Sequence, residues 1–430
     1  MPNLPDGRIR PPFSWTAKSN MHILLIHQAF AALDEPGGTR HHELARYLAG
    51  RGHKVTIIAS PVSYLTGTPS TFGGVTRCES GVRVIRAYTY QALHKSFIHR
   101  VFSFITFMTA SFFAGLGVKN VDLVWGTSPP IFQGVTAWLL ARLKRVPFLF
   151  EVRDLWPTFA IAVGVLKNPL LIRMSLWLER FLYGHADLVV VNSPGYIAHV
   201  SERGARRVEL VPNGADPHMF DPADRGASFR SANRLAEKFV VLYAGAHGMS
   251  NDLTVALEAA KLLQNTPAAG EVVVTFLGDG KEKPALQKQA VEMGLTNVLF
   301  LPPVPKAEMA AALAGADACL AILKPIEEYK TTYPNKVFDY MAAGRPVILA
   351  IDGVIRQVVE AAHCGLFVQP GDPLALARVI HQLAADKTNS CQMGLAGRKY
   401  LEQYFNRSTE AEKLAGIMEG MPGRSNRKEH

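Results

Sequence analysis

Residues 329–350 read YKTTYPNKVFDYMAAGRPVILA, which predicts a polar loop, a short helix and then a buried strand. A proline suits the first helical turn, and a glycine suits the position just after a helix end. The helix start presents the backbone N–H groups of Asn335 and Lys336 at the positive end of the helix dipole. Such a position favours the binding of phosphate.

Charged side chains surround this predicted helix start. Lys330 and Lys336 flank it with full positive charges, and Asp339 lies four residues after Asn335, on the same face of the helix. A carboxylate there can accept hydrogen bonds from a pair of sugar hydroxyls. The stretch therefore describes a pocket for a sugar-bearing diphosphate, with an ordinary amphipathic surface helix as the alternative.

The bulk composition bounds the class of protein. A chain of 430 residues suits two domains, and 48% hydrophobic with 19% charged residues suits a globular core. The formal net charge of +10 points to phosphorylated substrates and an anionic membrane face, since no segment resembles a nucleic-acid-reading module. Four distant cysteines without a C-x-x-C pair argue against a zinc site or a disulfide framework. We expect a cytoplasmic protein, peripheral on the inner membrane.

The pattern of strands and helices over 21–213 predicts an acceptor-side domain. A disordered, Pro-rich extension is predicted before it, over 1–20. A strand up to Ile26, a glycine loop with Gly38, a helix and a second strand over Lys54–Ala59 form the opening of a nucleotide-binding α/β unit. A further strand is predicted over Val121–Trp125. Arg40, just inside the helix, can clamp a phosphate. A solvated helix residue is the alternative for Arg40.

A second charged cluster ends a predicted strand over Pro147–Val152. Glu151, Arg153 and Asp154 fall where the carboxyl ends of parallel strands face a ligand crevice. Charges at such a position are costly unless they are paired or used. Arg153 and Asp154 are the main candidates for the floor of the active cleft, with a local structural Arg–carboxylate pair as the alternative.

An apolar stretch at 96–117 is rich in Phe, Ile and Val and follows several basic residues. Ser, Thr and Gly interrupt it, so it falls short of a membrane-spanning helix. Two interpretations stay open. The stretch is either a buried helix of the sheet sandwich or an amphipathic surface that docks on a bilayer.

After a predicted linker at 214–237, the pattern of strand, glycine loop and helix restarts. This predicts a nucleotide-sugar-binding domain over 238–400, with glycine loops at 245–248 and 278–280. Helices and a basic tail over 401–430 follow, and they can cross back to the first domain. No D-x-D pair occurs, so we expect no metal and no cofactor beyond a nucleotide-sugar co-substrate.

In combination, several motifs carry a specific resemblance over about residues 21–415. They are Gly37-Gly38-x-Arg40, Arg51-Gly-His53-x-Val, Glu151-Val-Arg-Asp-Leu-Trp-Pro157, Pro212-Asn-Gly-x-Asp216, Tyr243-Ala-Gly-x-His-Gly248, Gly278-Asp-Gly280, Pro334-x-Lys336 and Asp339-Tyr-Met-Ala-Ala-Gly344-x-Pro. The chain resembles a retaining GT-B glycosyltransferase of family 4, most like the bacterial group of N-acetyl-fucosamine transferases of O-antigen and capsule assembly. The resemblance implies two Rossmann-like domains facing a central cleft.

The resemblance also implies roles for single residues. Asp339 would bind the ribose, and Val304 would meet the nucleobase. Thr331 stands where the family has a glutamate that contacts the donor sugar. The predicted catalytic set is Glu151, Arg153, Asp154, Lys330 and Lys336. The predicted donor-binding set is Gly38, Arg40, Gly245, His247, Gly278, Lys283, Val304, Thr331, Asn335 and Asp339.

The implied reaction is metal-independent transfer of a hexose or N-acetylhexosamine with retention, from a UDP-linked donor to a lipid-linked saccharide. Asp154 or Glu151 would orient the acceptor or stabilise positive charge. A sugar-nucleotide epimerase on the same scaffold and a non-catalytic nucleotide-binding partner subunit remain the alternatives.

Overall fold

The computed structural model describes most of the chain, namely residues 20–63, 76–79, 81–91, 97–266 and 271–421. The predicted N-terminal extension up to residue 19 and the basic tail after residue 421 lie outside the described residues. Two mainly parallel β-sheets, each packed between helices, confirm the predicted α/β architecture of two Rossmann-like domains.

The N-terminal sheet has eight strands in the order β3-β4-β2-β1-β5-β6-β7-β8, and only β3 is antiparallel to its neighbour. Its inner strands are buried on both faces, which explains their near-continuous apolar sequences. The strands are β1 (His22–Ile26), β2 (Lys54–Ala59), β3 (Thr76–Glu79), β4 (Val82–Arg86), β5 (Leu123–Ser128), β6 (Phe148–Val152), β7 (Leu188–Val191) and β8 (Val208–Leu210).

Helices cover both faces of this sheet. One face packs on the helix that follows β1, and the other packs on the helices that connect β4 to β7. The helices are α1 (Arg40–Gly50), α2 (Phe97–Leu116), α3 (Phe132–Lys144), α4 (Thr158–Ala162), α5 (Pro169–His185) and α6 (Ile197–Glu202). Among the described residues, no helix is long and apolar enough to cross a membrane.

The predicted linker at 214–237 is ordered and packs on the C-terminal domain. It contains α7 (Ala227–Ala232), and the Nη2 of Arg230 lies 2.5 Å from the Oδ2 of Asp317. Arg230 also donates to the Lys238 carbonyl at 2.9 Å. These contacts tie the segment to the start of the second sheet.

The C-terminal sheet has six parallel strands in the order β11-β10-β9-β12-β13-β14. The strands are β9 (Phe239–Ala244), β10 (Val272–Leu277), β11 (Val298–Leu301), β12 (Ala318–Ile322), β13 (Val347–Ala350) and β14 (Gly365–Phe367). The helices are α8 (Leu253–Gln264), α9 (Lys283–Glu292), α10 (Lys306–Ala314), α11 (Asn335–Ala342), α12 (Val354–Ala361), α13 (Pro373–Ala385), α14 (Lys387–Tyr404) and α15 (Arg407–Glu419).

The chain crosses between the domains twice, and the two crossings pair with each other. Ala215 donates to the Phe405 carbonyl at 3.2 Å, and Arg407 donates through its backbone N–H to the Ala215 carbonyl at 3.0 Å. The last helix, α15, then packs Leu414 and Ala415 into the apolar cluster that includes α1. The C-terminal helix therefore lies on the N-terminal domain.

Candidate active site

A cavity of about 880 Å³ lies between the carboxyl ends of the two sheets. The N-terminal domain contributes Gly38, Arg153 and Asp154 to its wall, and the C-terminal domain contributes the remaining residues of the predicted set that reach it. These are Gly245, Gly278, Val304, Asn335, Lys336 and Asp339. The fold therefore brings together residues that are about 300 positions apart in the chain.

Two glycine loops form the floor on the C-terminal side. Gly278 has φ +144°, and a Cβ atom there would lie 1.9 Å from the carbonyl oxygen of Gly245. Only glycine permits this backbone contact, because the conformation is unfavourable for other residues and the space is already filled. The close approach leaves backbone rather than side chains facing the cavity, which gives a ligand room beside Lys336.

Lys336 supplies the positive charge at this floor. It follows Asn335 at the start of α11, and its Nζ lies 3.8 Å from the centroid of the Tyr243 ring and 3.0 Å from where a Cβ of Gly245 would be. Burial lowers its pKa to about 7. In the part of the chain that the structure describes, Lys336 makes no ion pair. An anionic ligand would therefore supply the charge that the protein does not.

Asp339 lies on the same helix, one turn further on. Its Oδ1 lies 2.6 Å from the Nζ of Lys306, and its Oδ2 accepts a 3.4 Å hydrogen bond from the Asn335 amide. Burial raises the pKa of Asp339, and the Lys306 ammonium opposes that shift. Lys306 was missed from the sequence, although it comes two residues after Val304 and begins α10.

On the opposite wall, Asp154 follows β6 and faces the cavity. Burial raises its pKa to about 6, and the Arg153 guanidinium opposes this shift. The Oδ1 of Asp154 is buried and has no hydrogen-bond partner among the described residues. Arg153 donates to the Pro129 carbonyl at 3.2 Å. The cleft therefore holds a carboxylate that is ready to meet a polar or cationic group of a ligand.

Glu151 and Arg40 are placed differently from the prediction. Neither lines the cavity, because each is buried in an ion pair in which the Nε of Arg40 lies 2.9 Å from Glu151. His41 and Trp125 also bond to the Glu151 carboxylate, at 2.7 and 3.1 Å. Burial opposes ionisation of Glu151, but His41 and Arg40 hold its pKa below the usual range.

The Nη1 and Nη2 atoms of Arg40 donate to the carbonyls of Pro212 and Val211, respectively, both at 2.8 Å. All three nitrogens of its guanidinium are thus engaged within the protein, and the side chain does not line the cavity. Arg40 and Glu151 join α1, β6 and the segment after β8, and they support the cleft from behind. Glu151 is in a structural ion pair, but its partner Arg40 lies 111 positions away and is not the local partner that the alternative supposed. Neither interpretation offered for Arg40 describes its role.

Lys330 and Thr331 also lie off the cavity wall. The Nζ of Lys330 is exposed and pairs with Glu327 at 2.7 Å, in a helical turn over Glu327–Thr331. The hydroxyl of Thr331 donates to the Glu328 carbonyl at 2.6 Å, and its own carbonyl accepts from the Ser193 hydroxyl. This turn joins the two domains, so neither residue occupies the position predicted for it.

His247 and Lys283 lie behind the glycine loops. Lys283 donates to the carbonyls of Gly278 and Leu301 at 2.7 and 2.8 Å, which fixes the loop after β10. His247 is fully buried, and burial together with Lys283 and Lys336 lowers its pKa to about 4. Both were predicted to bind the donor, and both instead shape the loops that face it.

A buried ionic network at the cleft was not predicted from the sequence. The Nε of Arg407 lies 2.7 Å from the Oε2 of Glu43, and its Nη2 donates to the Asn335 side chain at 3.0 Å. Thr39 donates to the other oxygen of Glu43 at 2.6 Å. Burial opposes ionisation of Glu43, but Arg407 and Lys306 lower its pKa to about 2. The network connects the first turn of α11 to the N-terminal glycine loop.

No group of three or more histidine, cysteine, aspartate or glutamate side chains within the described ranges could hold a metal ion.

Two family models match the chain. A glycosyl transferase 4-like domain model matches residues 37–214, and a model of glycosyl transferases group 1 matches residues 238–386. The chain is a glycosyltransferase of the 4-like and group 1 type. The first match falls on the N-terminal sheet of this glycosyltransferase and the second on its C-terminal sheet.

Similar sequences of this family come from several bacteria. The glycosyltransferase is 26% identical over 306 residues to the probable glycosyltransferase WbjE of Pseudomonas aeruginosa, covering 70% of this chain and 75% of that protein. It is 24% identical to the putative colanic acid biosynthesis glycosyl transferase WcaI of Escherichia coli, covering 85% and 91%. A D-inositol 3-phosphate glycosyltransferase of Streptomyces avermitilis is 27% identical, covering 93% and 86%.

Solved structures share the fold. Sucrose-phosphate synthase from Thermosynechococcus elongatus superposes with a TM-score of 0.75 at 19% identity, over 93% of this chain and 98% of that one. HepE of Anabaena in complex with UDP-glucose gives 0.69 at 18% identity, over 93% and 99%. WaaG, a glycosyltransferase involved in lipopolysaccharide biosynthesis, gives 0.69 at 16% identity, over 93% and 100%. The GT-B architecture is thereby confirmed.

Proposed function

We propose that this glycosyltransferase moves a hexose or N-acetylhexosamine from a UDP-linked donor to a lipid-linked saccharide, with retention, during assembly of a cell-surface polysaccharide. The names of WcaI and WaaG, which refer to colanic acid and lipopolysaccharide, support the class of product. The sequence resemblance favours an N-acetylated 6-deoxyhexose such as N-acetyl-fucosamine as the donor sugar.

The observation that carries the proposal is the half-buried side chain of Lys336 beside the glycine loops, which has no ion pair among the described residues. A partly desolvated cation without a partner is unfavourable, and the lowered pKa of Lys336 reflects that cost. A diphosphate in front of Gly245 and Gly278 would pair with it and lie at the start of α11, where the helix dipole adds further attraction.

The rest of the donor follows from this placement. The ribose hydroxyls would meet the Asp339 carboxylate, which then exchanges its contact with Lys306 for hydrogen bonds to the sugar. The base would lie against Val304, on the same wall of the cavity. These positions extend from Lys336 along the C-terminal domain, and the donor sugar would face the N-terminal domain.

The reaction breaks the bond between the anomeric carbon and the diphosphate oxygen and forms a bond from that carbon to an acceptor hydroxyl oxygen. The acceptor proton passes to an oxygen of the leaving diphosphate. Lys336 stabilises the negative charge on that group, and no metal is needed in this scheme. Asp154, across the cavity, orients the acceptor or stabilises positive charge near the anomeric carbon.

A thermal-shift screen with UDP-, GDP- and ADP-sugars, with and without a chelator, tests the donor. We expect a UDP-sugar to raise the melting temperature of the parent, with or without the chelator, and to have a smaller effect on Asp339→Ala. An equal response from that variant would place the donor elsewhere.

NMR of the product then reads the anomeric configuration, and a free hexose isomer formed without acceptor would identify an epimerase instead.

A further inference from the structure

Three helices on one face of the N-terminal sheet expose large apolar side chains to solvent. Phe113 of α2 and Trp177 of α5 are 66% and 64% exposed, although such residues normally avoid water. On α2 the exposed positions recur at helical spacing, so they form one stripe. The exposed apolar residues of the three helices are Phe102, Ile105, Phe113, Leu116, Leu139, Leu143, Leu170, Leu171, Met174 and Trp177.

These helices form one continuous surface, here called the three-helix face. They belong to the connections between β4, β5, β6 and β7, and of these β5, β6 and β7 are neighbours in the sheet. Phe104 of α2 stacks on Phe132 of α3 at 5.6 Å, and Trp138 of α3 meets Phe181 of α5 at 4.8 Å. The exposed side chains therefore rest on a rigid, packed layer.

The exposed charge on the three helices themselves has a single sign. Across α2, α3 and α5 the sequence has one carboxylate, Glu179, and it is fully buried and bonded to His199 at 2.7 Å and Arg203 at 3.2 Å. Basic residues lie on these helices or directly beside them. They are Arg100, Lys119, Arg142, Lys144, Arg145, Lys167, Arg173 and Arg180. The acidic residues beside these helices, Asp122 and Asp187, accept hydrogen bonds from the backbone N–H groups of His22 and Phe148.

We propose that the three-helix face docks on an anionic lipid bilayer. Apolar side chains would enter the boundary between head groups and acyl chains, while arginines and lysines meet the lipid phosphates. A second copy of the chain fits less well, because a symmetric contact would press arginines against arginines. The sequence left bilayer docking open for the apolar stretch at 96–117. The helix of that stretch, α2, forms one part of this face, and α3 and α5 form the rest.

Docking in this way would place the active cleft at the membrane surface. Arg100 lies in the first turn of α2 and also lines the cavity, on the side of the N-terminal domain. An acceptor anchored in the bilayer could thus reach the cleft without leaving the membrane. This last step rests on the proposed function, whereas binding of the bilayer itself does not.

Flotation with phosphatidylcholine vesicles, with and without phosphatidylglycerol, tests the docking and needs neither donor nor acceptor. We expect binding only to the anionic vesicles, and a strong loss of binding at high salt. The double variant Phe113→Glu/Trp177→Glu should bind at least about tenfold less, as should Arg142→Glu/Arg173→Glu. All four side chains are exposed, so we expect both variants to keep the parental melting temperature.

The matched control is Val291→Glu/Leu395→Glu, which replaces exposed apolar residues of the C-terminal domain and should bind as the parent does. Equal binding by the three-helix variants and the parent would overturn the proposal. The proposal would also be overturned if the parent formed a dimer in solution and the same substitutions made it a monomer. If the parent binds vesicles but transfers no sugar to a lipid acceptor, the docking stands and the proposed function fails.

Discussion

Replacement of Asp154 by asparagine should make the protein more stable and less active. Burial raises the pKa of Asp154 to about 6, from an ordinary value of 3.8. A difference of about 2 units corresponds to up to about 3 kcal/mol. Because the folded-state pKa is raised, the parent is most stable below about pH 4 with respect to this group, and it loses that stability as the pH rises through about 6.

Asp154→Asn removes this titration and keeps the shape of the side chain. Urea denaturation between pH 4 and pH 7 should therefore show an increasing advantage for the variant, approaching about 3 kcal/mol at neutral pH as an upper bound. UDP release in the presence of acceptor should fall about 100-fold, because an electrostatic contact near the reacting carbon is lost. The parental rate should decline below about pH 6, as the carboxylate becomes protonated.

The matched control is Glu292→Gln, since that carboxylate is 62% exposed and lies on α9, away from the cleft. It should change neither the stability nor the rate appreciably. A variant at Asp154 that is no more stable than the parent at neutral pH, and that transfers sugar at the parental rate, would refute the assigned environment and role together.

Three further predictions concern the floor and the support of the cleft. Gly278→Ala should destabilise the fold by about 3 kcal/mol or more in urea titrations, whereas Gly50→Ala, with open space around it, should be neutral or slightly stabilising. Arg407→Met should lower the free energy of unfolding by about 3 to 5 kcal/mol, because it leaves the Glu43 carboxylate buried without its partner. Adding Glu43→Gln should restore part of that loss, and no restoration would show that the two residues are not coupled. At about pH 8, UDP binding should be accompanied by uptake of nearly one proton, because Lys336 regains its charge. Calorimetry in buffers of different ionisation enthalpy measures this uptake, and a binding enthalpy that does not depend on the buffer would contradict it.

The alternation of apolar runs and glycine loops predicted most of the fold. The bounds of β2, Lys54–Ala59, match the prediction because a buried parallel strand is a continuous apolar run. The prediction for β5 ended at Trp125, whereas the strand continues to Ser128. Its last residues are small rather than apolar. Gly126 lies so close to α3 that a Cβ atom there would be 2.7 Å from the Cβ of Ala137. The strand therefore requires a glycine at this position, which only the packed structure reveals.

The site was predictable where local sequence determines which way a side chain faces. Lys336 and Asp339 lie on the cavity wall because both belong to the first turns of α11. Arg40 belongs to an equally suggestive loop and helix, but its direction depends on Glu151, which is 111 positions away. Lys306 and Arg407 reach the cleft through packing of α10 and α15, which no local pattern reports.

The affinity for UDP of the Lys336→Met variant tests the central claim most directly, because the substitution removes the ammonium at the cavity floor and leaves the loops intact. Isothermal titration calorimetry near neutral pH should show at least about tenfold weaker binding than in the parent. Lys330→Met, which removes an exposed lysine outside the cavity, should bind UDP as the parent does. Equal affinities in the parent and Lys336→Met would contradict the placement of the diphosphate.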